Sequence, residues 1–474
     1  MIRILILSVI ILISSTVAAQ KAWSLKECID YSLENNLELK QQSLYLSVSE
    51  NNLFASKMNL FPSLNAGVNQ NFSFGRSVDA FTNEFADDNV ISSNASISSS
   101  VTLFNGFQKI NTIRKADIDL QSGQYDLETA GNNLALTITS AYLQILYSIE
   151  ILETANQQLQ ITEAQLNRTQ KLVNAGSLPL QAKYEVEAQL ATEEASRVNA
   201  ENQLLMARLN LVQLLQLDNV DDFEILIPDV GGLVESSILL PAESIYNEAL
   251  GHMPEIKSAA LKKRSADLQY AIAQGSRYPQ ISLSASYGTG YSNARKTIDN
   301  ISPAAPVLTG FALDAYGNYI DVYQYNFNYS YATRPFQDQL RDNASASLSI
   351  GMNIPIFNAW YTNTRVANAR IERNQSVLQY EITERQLFRA IQQAHTDARA
   401  ALKKYEAAQK AYEASKLSFD YTQQRFDLGL VTSLDYNSAK TQLSRLASDL
   451  ISSKYDLIFK QKILDFYRGI EIKL

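Results

Sequence analysis

Side chains able to do acid–base, thiol or metal chemistry are few and scattered: two histidines, His252 and His395, and one cysteine, Cys28. A lone cysteine makes no intrachain disulfide and no Cys-rich zinc or iron–sulfur site. His252 precedes Met253-Pro254, at an expected helix break, and His395 adjoins an alanine/tyrosine heptad. Both read as structural, and Cys28 reads as a small buried apolar side chain. The motifs G-x-x-x-x-G-K-[ST], H-E-x-x-H and G-x-S-x-G do not occur. Most of the 49 acidic residues are spread along helical stretches as solvated faces. No enzymatic activity and no cofactor are expected. A net charge of −8 without a basic stretch excludes nucleic acid as a partner.

Two short segments suit recognition rather than catalysis. They read Lys171-Leu172-Val173-Asn174-Ala175-Gly176 and Arg425-Phe426-Asp427-Leu428-Gly429. In each a basic residue and an apolar or aromatic residue precede a glycine that permits a tight turn, and the flanking apolar residues offer a dry patch. What positions them is an internal repeat. Phe104-Asn105-Gly106-Phe107 matches Phe357-Asn358-Ala359-Trp360, Gly176 matches Gly429, and Gln189-Leu190 matches Gln442-Leu443, all at an offset of 253. Upstream, Pro62 and Pro279 correspond at an offset of 217, so the second copy carries 36 extra residues before Phe357. The expected order is a signal peptide at 1–19 (short positive start, apolar Leu5–Ile13, Val17-Ala18-Ala19 before the cut) and a first repeat at 20–217. A linker at 218–241 and a second repeat at 242–474 follow.

Each repeat reads as helix, β-hairpin, long helix, turn and returning helix. The hairpins are expected at about 63–104 and 279–356, and the helical hairpins at 107–217 and 359–468. A single helix is expected over Ser24–Asn59, opened by a Ser24/Glu27 capping box and stopped by Pro62. Only 17 glycines and 10 prolines interrupt 474 residues. Ile138, Ile145, Leu152, Leu159 and Leu166 recur every seven residues, with Leu134, Ala141 and Ala155 beside them and Ser148 as the exception. Ile391, Ala398, Tyr405, Tyr412, Phe419 and Phe426 do the same in the second copy, with Leu387, Ala394, Ala401 and Ala408 beside them. Sustained heptads predict coiled coils, and about 66 residues at ~1.5 Å each predict helices near 100 Å.

Four segments alternate with period two. Leu64, Ala66, Val68, Phe72 and Phe74 alternate with Ser and Asn. So do Ala95 to Leu103, Ile281 to Tyr287 and Ala344 to Ile356. One reading is a soluble sheet with one face on a core. The other is a transmembrane wall of roughly ten-residue strands. The polar face is Ser, Asn, Gly and Thr with almost no charge, which fits a water-filled lumen better than a solvated outer surface. Four strands cannot close in lipid, so copies of the chain must share a barrel. Among the extra residues, Tyr323, Tyr325, Phe327, Tyr329 and Tyr331 alternate with polar residues and read as one further strand, with Tyr316 and Tyr319 before it.

Duplication, strands, helical hairpins and glycine tips together resemble the TolC-type outer-membrane efflux protein family, over nearly all of the chain after residue 19. The opening Trp23-Ser24-Leu25-Lys26-Glu27-Cys28-Ile29 is also similar. The resemblance implies a mainly α fold with membrane β: a homotrimer whose twelve strands form a barrel among outer-membrane lipid, with long antiparallel coiled-coil hairpins in the periplasm. It implies a passive efflux or type I secretion duct that meets a periplasmic adaptor and, through it, an inner-membrane pump or ABC transporter. The adaptor-contacting tips would be Lys171, Leu172, Gly176, Ser177 and Leu178, with Arg425, Phe426, Gly429, Leu430 and Val431. Asp435 matches the family's acidic aperture ring, with Phe426 beside it. The next acidic position is Ser438 here, and a closing tyrosine and arginine fall at Phe426 and Val431, so an apolar closure is implied. A periplasmic coiled-coil structural or adaptor protein without a barrel is the other reading of the pattern.

Overall fold

The computed structural model describes residues 22–86, 89–219, 223–228 and 240–473. The expected signal peptide and much of the expected linker lie outside them. Two compact units result, one drawn from 1–52, 116–267 and 371–474, the other from 53–115 and 268–370.

The first unit is helical. Helix α1 (Leu25–Asn35) opens on the Ser24/Glu27 capping box, Glu27 N–H donating to Ser24 Oγ at 3.2 Å. The helix expected to run to Asn59 is divided at Asn36. Its side-chain oxygen accepts from the amides of Glu38 and Leu39 and starts α2 (Leu37–Met58) afresh. An asparagine that captures nearby amides competes with the helical bond pattern. The second copy breaks 217 residues on, at Met253, between α5 (Ala242–His252) and α6 (Pro254–Gly275). There the proline drives the preceding residue out of the helical region.

Helices α3 (Gln108–Asn174) and α8 (Tyr361–Asp427) have 67 residues each. They return through α4 (Leu180–Leu215) and α9 (Ser433–Tyr467). One core gathers Ile138, Tyr142 and Ile145 of α3 with Cys28 of α1, Leu211 of α4 and Ile458 of α9. A second gathers Ile245 and Met253 with Leu387, Ile391 and Ala398 of α8 and Leu464 of α9. One stretch of α3 is apolar enough over 18 residues to resemble a membrane span. Its apolar surplus goes into the first core. Ser148, the exception in the heptad, is buried with its hydroxyl donating to Gln144 O at 2.8 Å. Left-handed residues pair at the 253 offset: Gly106 with Ala359, Phe107 with Trp360, Gly176 with Gly429, and Gln216 with Gly469.

The second unit is built on a four-stranded antiparallel sheet in the order β1-β4-β5-β10: β1 (Ser63–Ser73), β4 (Val90–Phe104), β5 (Gln280–Ser292) and β10 (Ser345–Asn353). Short β2 (Ser77–Val78) and β3 (Phe85–Ala86) pair in the first connection. The second connection holds two further ribbons. In one, β6 (Lys296–Pro303) pairs with β9 (Phe327–Thr333); in the other, β7 (Val307–Leu313) pairs with β8 (Tyr319–Gln324). A seven-residue helix, α7 (Phe336–Asp342), leads into β10. The aromatic stretch expected as one strand is therefore two, parted at Tyr325-Asn326.

Candidate functional site

The two turns joining the long helices to their returns are built alike. Gly176 and Gly429 have φ of +73° and +72°. Gly176 N–H donates to Val173 O at 3.0 Å and Ser177 N–H to Leu172 O at 2.9 Å; Gly429 N–H donates to Phe426 O at 3.0 Å and Leu430 N–H to Arg425 O at 2.8 Å. This pair of bonds is a Schellman cap, and its left-handed residue costs any side chain but glycine roughly 1–2 kcal/mol. The returns differ. Pro179 starts α4 without a side-chain cap, whereas Thr432 starts α9 with a capping box. Asp435 N–H donates to Thr432 Oγ1 at 3.2 Å, and the Thr432 hydroxyl donates to Asp435 Oδ2 at 2.7 Å. That hydroxyl, then the Thr432 amide, hold the Asp435 carboxyl below its ordinary range.

Lys171, Leu172, Gly176, Ser177, Arg425, Gly429 and Leu430 are exposed at these turns, while Leu178 and Val431 are half-buried. The turns also expose Leu428, which lies within the second motif, and Leu180, Tyr184 and Leu434, which lie outside both motifs. Phe426 is held within its own hairpin: its ring stacks on buried Tyr436 at 4.6 Å, and Tyr436 also meets Phe419 at 5.4 Å. Asp435 is exposed, its carboxylate occupied with the cap.

Polar groups join the two hairpins. The Arg168 guanidinium pairs with the Asp427 carboxylate and also reaches the Asp427 carbonyl at 3.4 Å. Closer to the cores, the stripe that α3 buries is not the expected Leu159 and Leu166, which stay half-buried, but Gln158, Thr162, Gln165 and Thr169. Lys440 of α9 enters this stripe with 2% of its surface exposed. Its ammonium donates to Thr162 Oγ1 and to Gln158 O at 3.2 Å, and lies 3.5 Å from the Glu193 carboxylate of α4. Burial lowers the proton affinity of Lys440, and Glu193 opposes that. Among the described residues the Gln165 amide finds no hydrogen-bond partner. Neither Lys440 nor Glu193 was visible as a site in the sequence. The 4-3-4 spacing of Gln158, Thr162, Gln165 and Thr169 was the one available signal.

The sheet separates its residues by chemistry across all four strands. Ser63, Ser100, Ser284 and Ser349 align in one row, and Asn65, Ser98, Ser286 and Ser347 in another. On the other face Ala66, Ile97, Tyr287 and Ala346 align, as do Val101, Leu283 and Ile350. Leu64, Val68, Phe72, Leu348, Ile350 and Met352 each leave more than half their surface uncovered. No charged side chain lies in these rows.

Among the described residues no group of His, Cys, Asp and Glu is placed to hold a metal ion. A cleft of about 820 Å³ in the helical unit is lined by Lys26, Glu34, Lys40, His252 and Glu471 among others. The His252 ring nitrogen Nδ1 bonds to Glu248 O at 2.8 Å. Among the described residues the ring's Nε2 has no hydrogen-bond partner.

An uncovered apolar face backed by serine rows, joined to 67-residue helices, defines an outer-membrane transport protein. The chain matches the outer membrane efflux protein family over residues 28–216 and 245–465, and it belongs to that family. It is 21% identical to outer membrane protein TolC of Escherichia coli K12 over 439 residues, covering 90% of this chain and 78% of TolC. An uncharacterized protein of Haemophilus influenzae Rd is 22% identical over 289 residues; the match spans 61% of this chain and 61% of that relative's length, less than two thirds. The outer membrane protein VceC of Vibrio cholerae superposes with a TM-score of 0.73 at 17% identity, covering 94% of this chain and 96% of VceC. That likeness shows the fold: a mostly helical chain with a few strands, built like an outer-membrane efflux channel. The protein resides in the outer membrane, with its helical part in the periplasm.

Proposed function

We propose that three copies of this chain form one passive duct, with β1, β4, β5 and β10 of each contributing to a twelve-stranded barrel and the helical hairpins forming a periplasmic tunnel. The observation that carries this reading is the sheet itself. Its edge strands β1 and β10 are open, one face is apolar and uncovered, and the other is lined with serine. An open edge in lipid costs several kcal/mol per unpaired backbone group, so the sheet must close on copies of itself. Two copies would give eight strands, an interior that side chains fill; three leave a passage. Serine and asparagine rows hydrate that passage without holding a charged solute.

The duct does no chemistry of its own. A periplasmic adaptor coupled to an inner-membrane pump or ABC transporter supplies substrate and energy, so specificity for a drug, a metal ion or a polypeptide belongs to the pump. The adaptor meets the two turns, through Lys171, Leu172, Gly176, Ser177 and Leu178 and through Arg425, Phe426, Gly429, Leu430 and Val431; their exposed leucines and basic side chains support this. Asp435 and Phe426 line the inner aperture. The Arg168–Asp427 pair and the Lys440 clasp hold the second hairpin against the first.

Outer membranes extracted with detergent should yield a trimer that runs as such on unheated gels and as a monomer after boiling. Recovery as a soluble periplasmic monomer overturns the duct. Cysteines at Ser177 and Leu430 should crosslink to a periplasmic adaptor in cells; if neither captures any periplasmic protein, the tips are not the docking surface.

A further inference from the structure

The 38 residues from Lys296 to Thr333 form an arm that the duct reading leaves unused. Both of its ribbons have only two strands, and among the described residues no further strand pairs with their outer edges. In the β6–β9 ribbon Ile298 faces Tyr331, Ile301 faces Tyr329 and Pro303 faces Phe327, all on one side; Thr297, Asn300, Ser302, Asn328 and Ser330 occupy the other. In the β7–β8 ribbon Phe311, Leu313, Tyr319 and Tyr323 share a face with one carboxylate, Asp321, which lies opposite Phe311 and accepts from the Tyr323 hydroxyl at 3.1 Å; the Phe311 and Tyr319 rings are 6.5 Å apart. Nearly all of these apolar and aromatic side chains are about half exposed or more, and Tyr316 in the turn is 91% exposed. The uncovered aromatic area is on the order of 1,000 Å². A monomer's largest apolar patch is usually about 300–600 Å², whereas a specific interface takes about 800 Å² from each partner. An isolated two-stranded ribbon is marginal in water at best.

The arm is nevertheless held firmly at its base. Arg295, just before β6, and Arg334, just after β9, both pair with Asp342 of α7. Buried Gln339 of α7 accepts from Ser292 N–H at 2.9 Å and donates to the carbonyls of Ser292 and Arg334 at 2.9 and 2.8 Å. The arm passes through α7 directly into β10, an edge strand of the sheet. It therefore springs from beside the edge at which a second copy would join.

We propose that the arm is a self-association element: the aromatic face of one copy's arm packs against the arm of the adjacent copy beyond the barrel. This rests on the reading that copies close a shared barrel. Three features select a second copy as occupant. The uncovered area matches what a stable interface needs. The base lies at the joining edge, so an identical arm is present at high effective concentration. The arm's charges, Lys296 against Asp299, Asp314 and Asp321, repel an anionic lipid surface.

Tyr329→Cys and Ser330→Cys place a thiol on opposite faces of the ribbon, in a chain whose one native cysteine, Cys28, is fully buried. Whole cells expressing the full chain are treated with a short membrane-impermeant bis-maleimide. Tyr329→Cys should give covalent two- and three-chain species at least tenfold more abundant than Ser330→Cys, and adding Phe327→Ser and Tyr331→Ser should remove them. If Tyr329→Cys forms none while unheated gels still show the trimer, the arm proposal is wrong and the shared barrel stands. Capture of a different protein, or quenching by brominated lipid in place of crosslinking, has the same meaning. If the unheated gels show only monomer, the barrel reading falls and the arm proposal with it.

Discussion

At Lys440 an ammonium group sits in a helix seam with a hydroxyl, a carbonyl and one carboxylate around it. Removing one member of such a pair strands the other charge. Glu193→Gln should therefore cost about 3 kcal/mol, while pairing it with Lys440→Met should recover most of the loss. Hydrogen exchange across the stripe of α3 carrying Thr162 is the measurement, and additive losses in the double variant would rule out coupling. The sign with pH follows from burial, which lowers the proton affinity of Lys440 below its ordinary 10.5. Between the folded value and 10.5 the unfolded seam holds more protons than the folded one, so protection of the seam should rise with pH through that window and stay flat below it. Lys440→Met should abolish the rise. At the turns, Gly176→Ala and Gly429→Ala should each cost roughly 1–2 kcal/mol, read as earlier exchange at the tip amides, because a left-handed residue acquires a Cβ.

At the scale of elements, the two returning helices start differently, and acid should separate them. Asp435 is held below its ordinary 3.8 by the Thr432 hydroxyl, so its contribution to the start of α9 is complete above 3.8 and is lost as pH falls through the folded value. The start of α4, at Pro179, has no such group. Amide exchange should show the α9 start fraying in acid while the α4 start does not, and Asp435→Asn should remove the difference. Thr432→Ala should weaken the α9 start by about 1 kcal/mol at neutral pH. The helices were legible because apolar residues recur every seven positions over many turns. The capping box at Ser24 was legible from two residue types three apart. The break at Asn36 was not, because an asparagine at helical spacing looks like any exposed polar residue until its side chain captures two amides. The buried stripe was missed for a related reason. A hydrophobic pattern assumes that leucine wins the seam, and here the Lys440 ammonium reaches the Thr162 hydroxyl and the Gln158 main-chain carbonyl instead.

At the scale of the whole molecule, the sheet makes the sharpest demand. Leu348→Arg, on the apolar face, should reduce outer-membrane assembly, with a cost of about 2–4 kcal/mol if the site lies near mid-membrane. Ser347→Arg, one residue away on the serine face, should assemble normally and alter ion selectivity in a planar bilayer. Equal assembly of both variants would mean that the two faces have been assigned wrongly. Strict alternation without charge made these strands readable from the sequence. The aromatic arm was only half readable, because Tyr325 and Asn326 keep the alternation going across a point where the ribbon is broken. What no single-chain pattern could supply was which polar groups bridge the two copies of the repeat, since Arg168 and Asp427 are 259 residues apart and neither stands out locally.

The two offsets, 217 before the sheet and 253 after it, have a consequence for how such a chain can change over time. A residue added to α3 or α8 would turn every later side chain by about 100° and misplace its whole packing stripe. A residue added between β5 and β10 leaves both helical registers untouched. Length variation among relatives should therefore collect in the two connections outside the sheet, around 74–89 and 293–344, while the 72 positions from Phe104 to Gly176 and from Phe357 to Gly429 keep their spacing. The second repeat has already taken that route, lengthening the one stretch in which growth leaves the register of the duct unchanged.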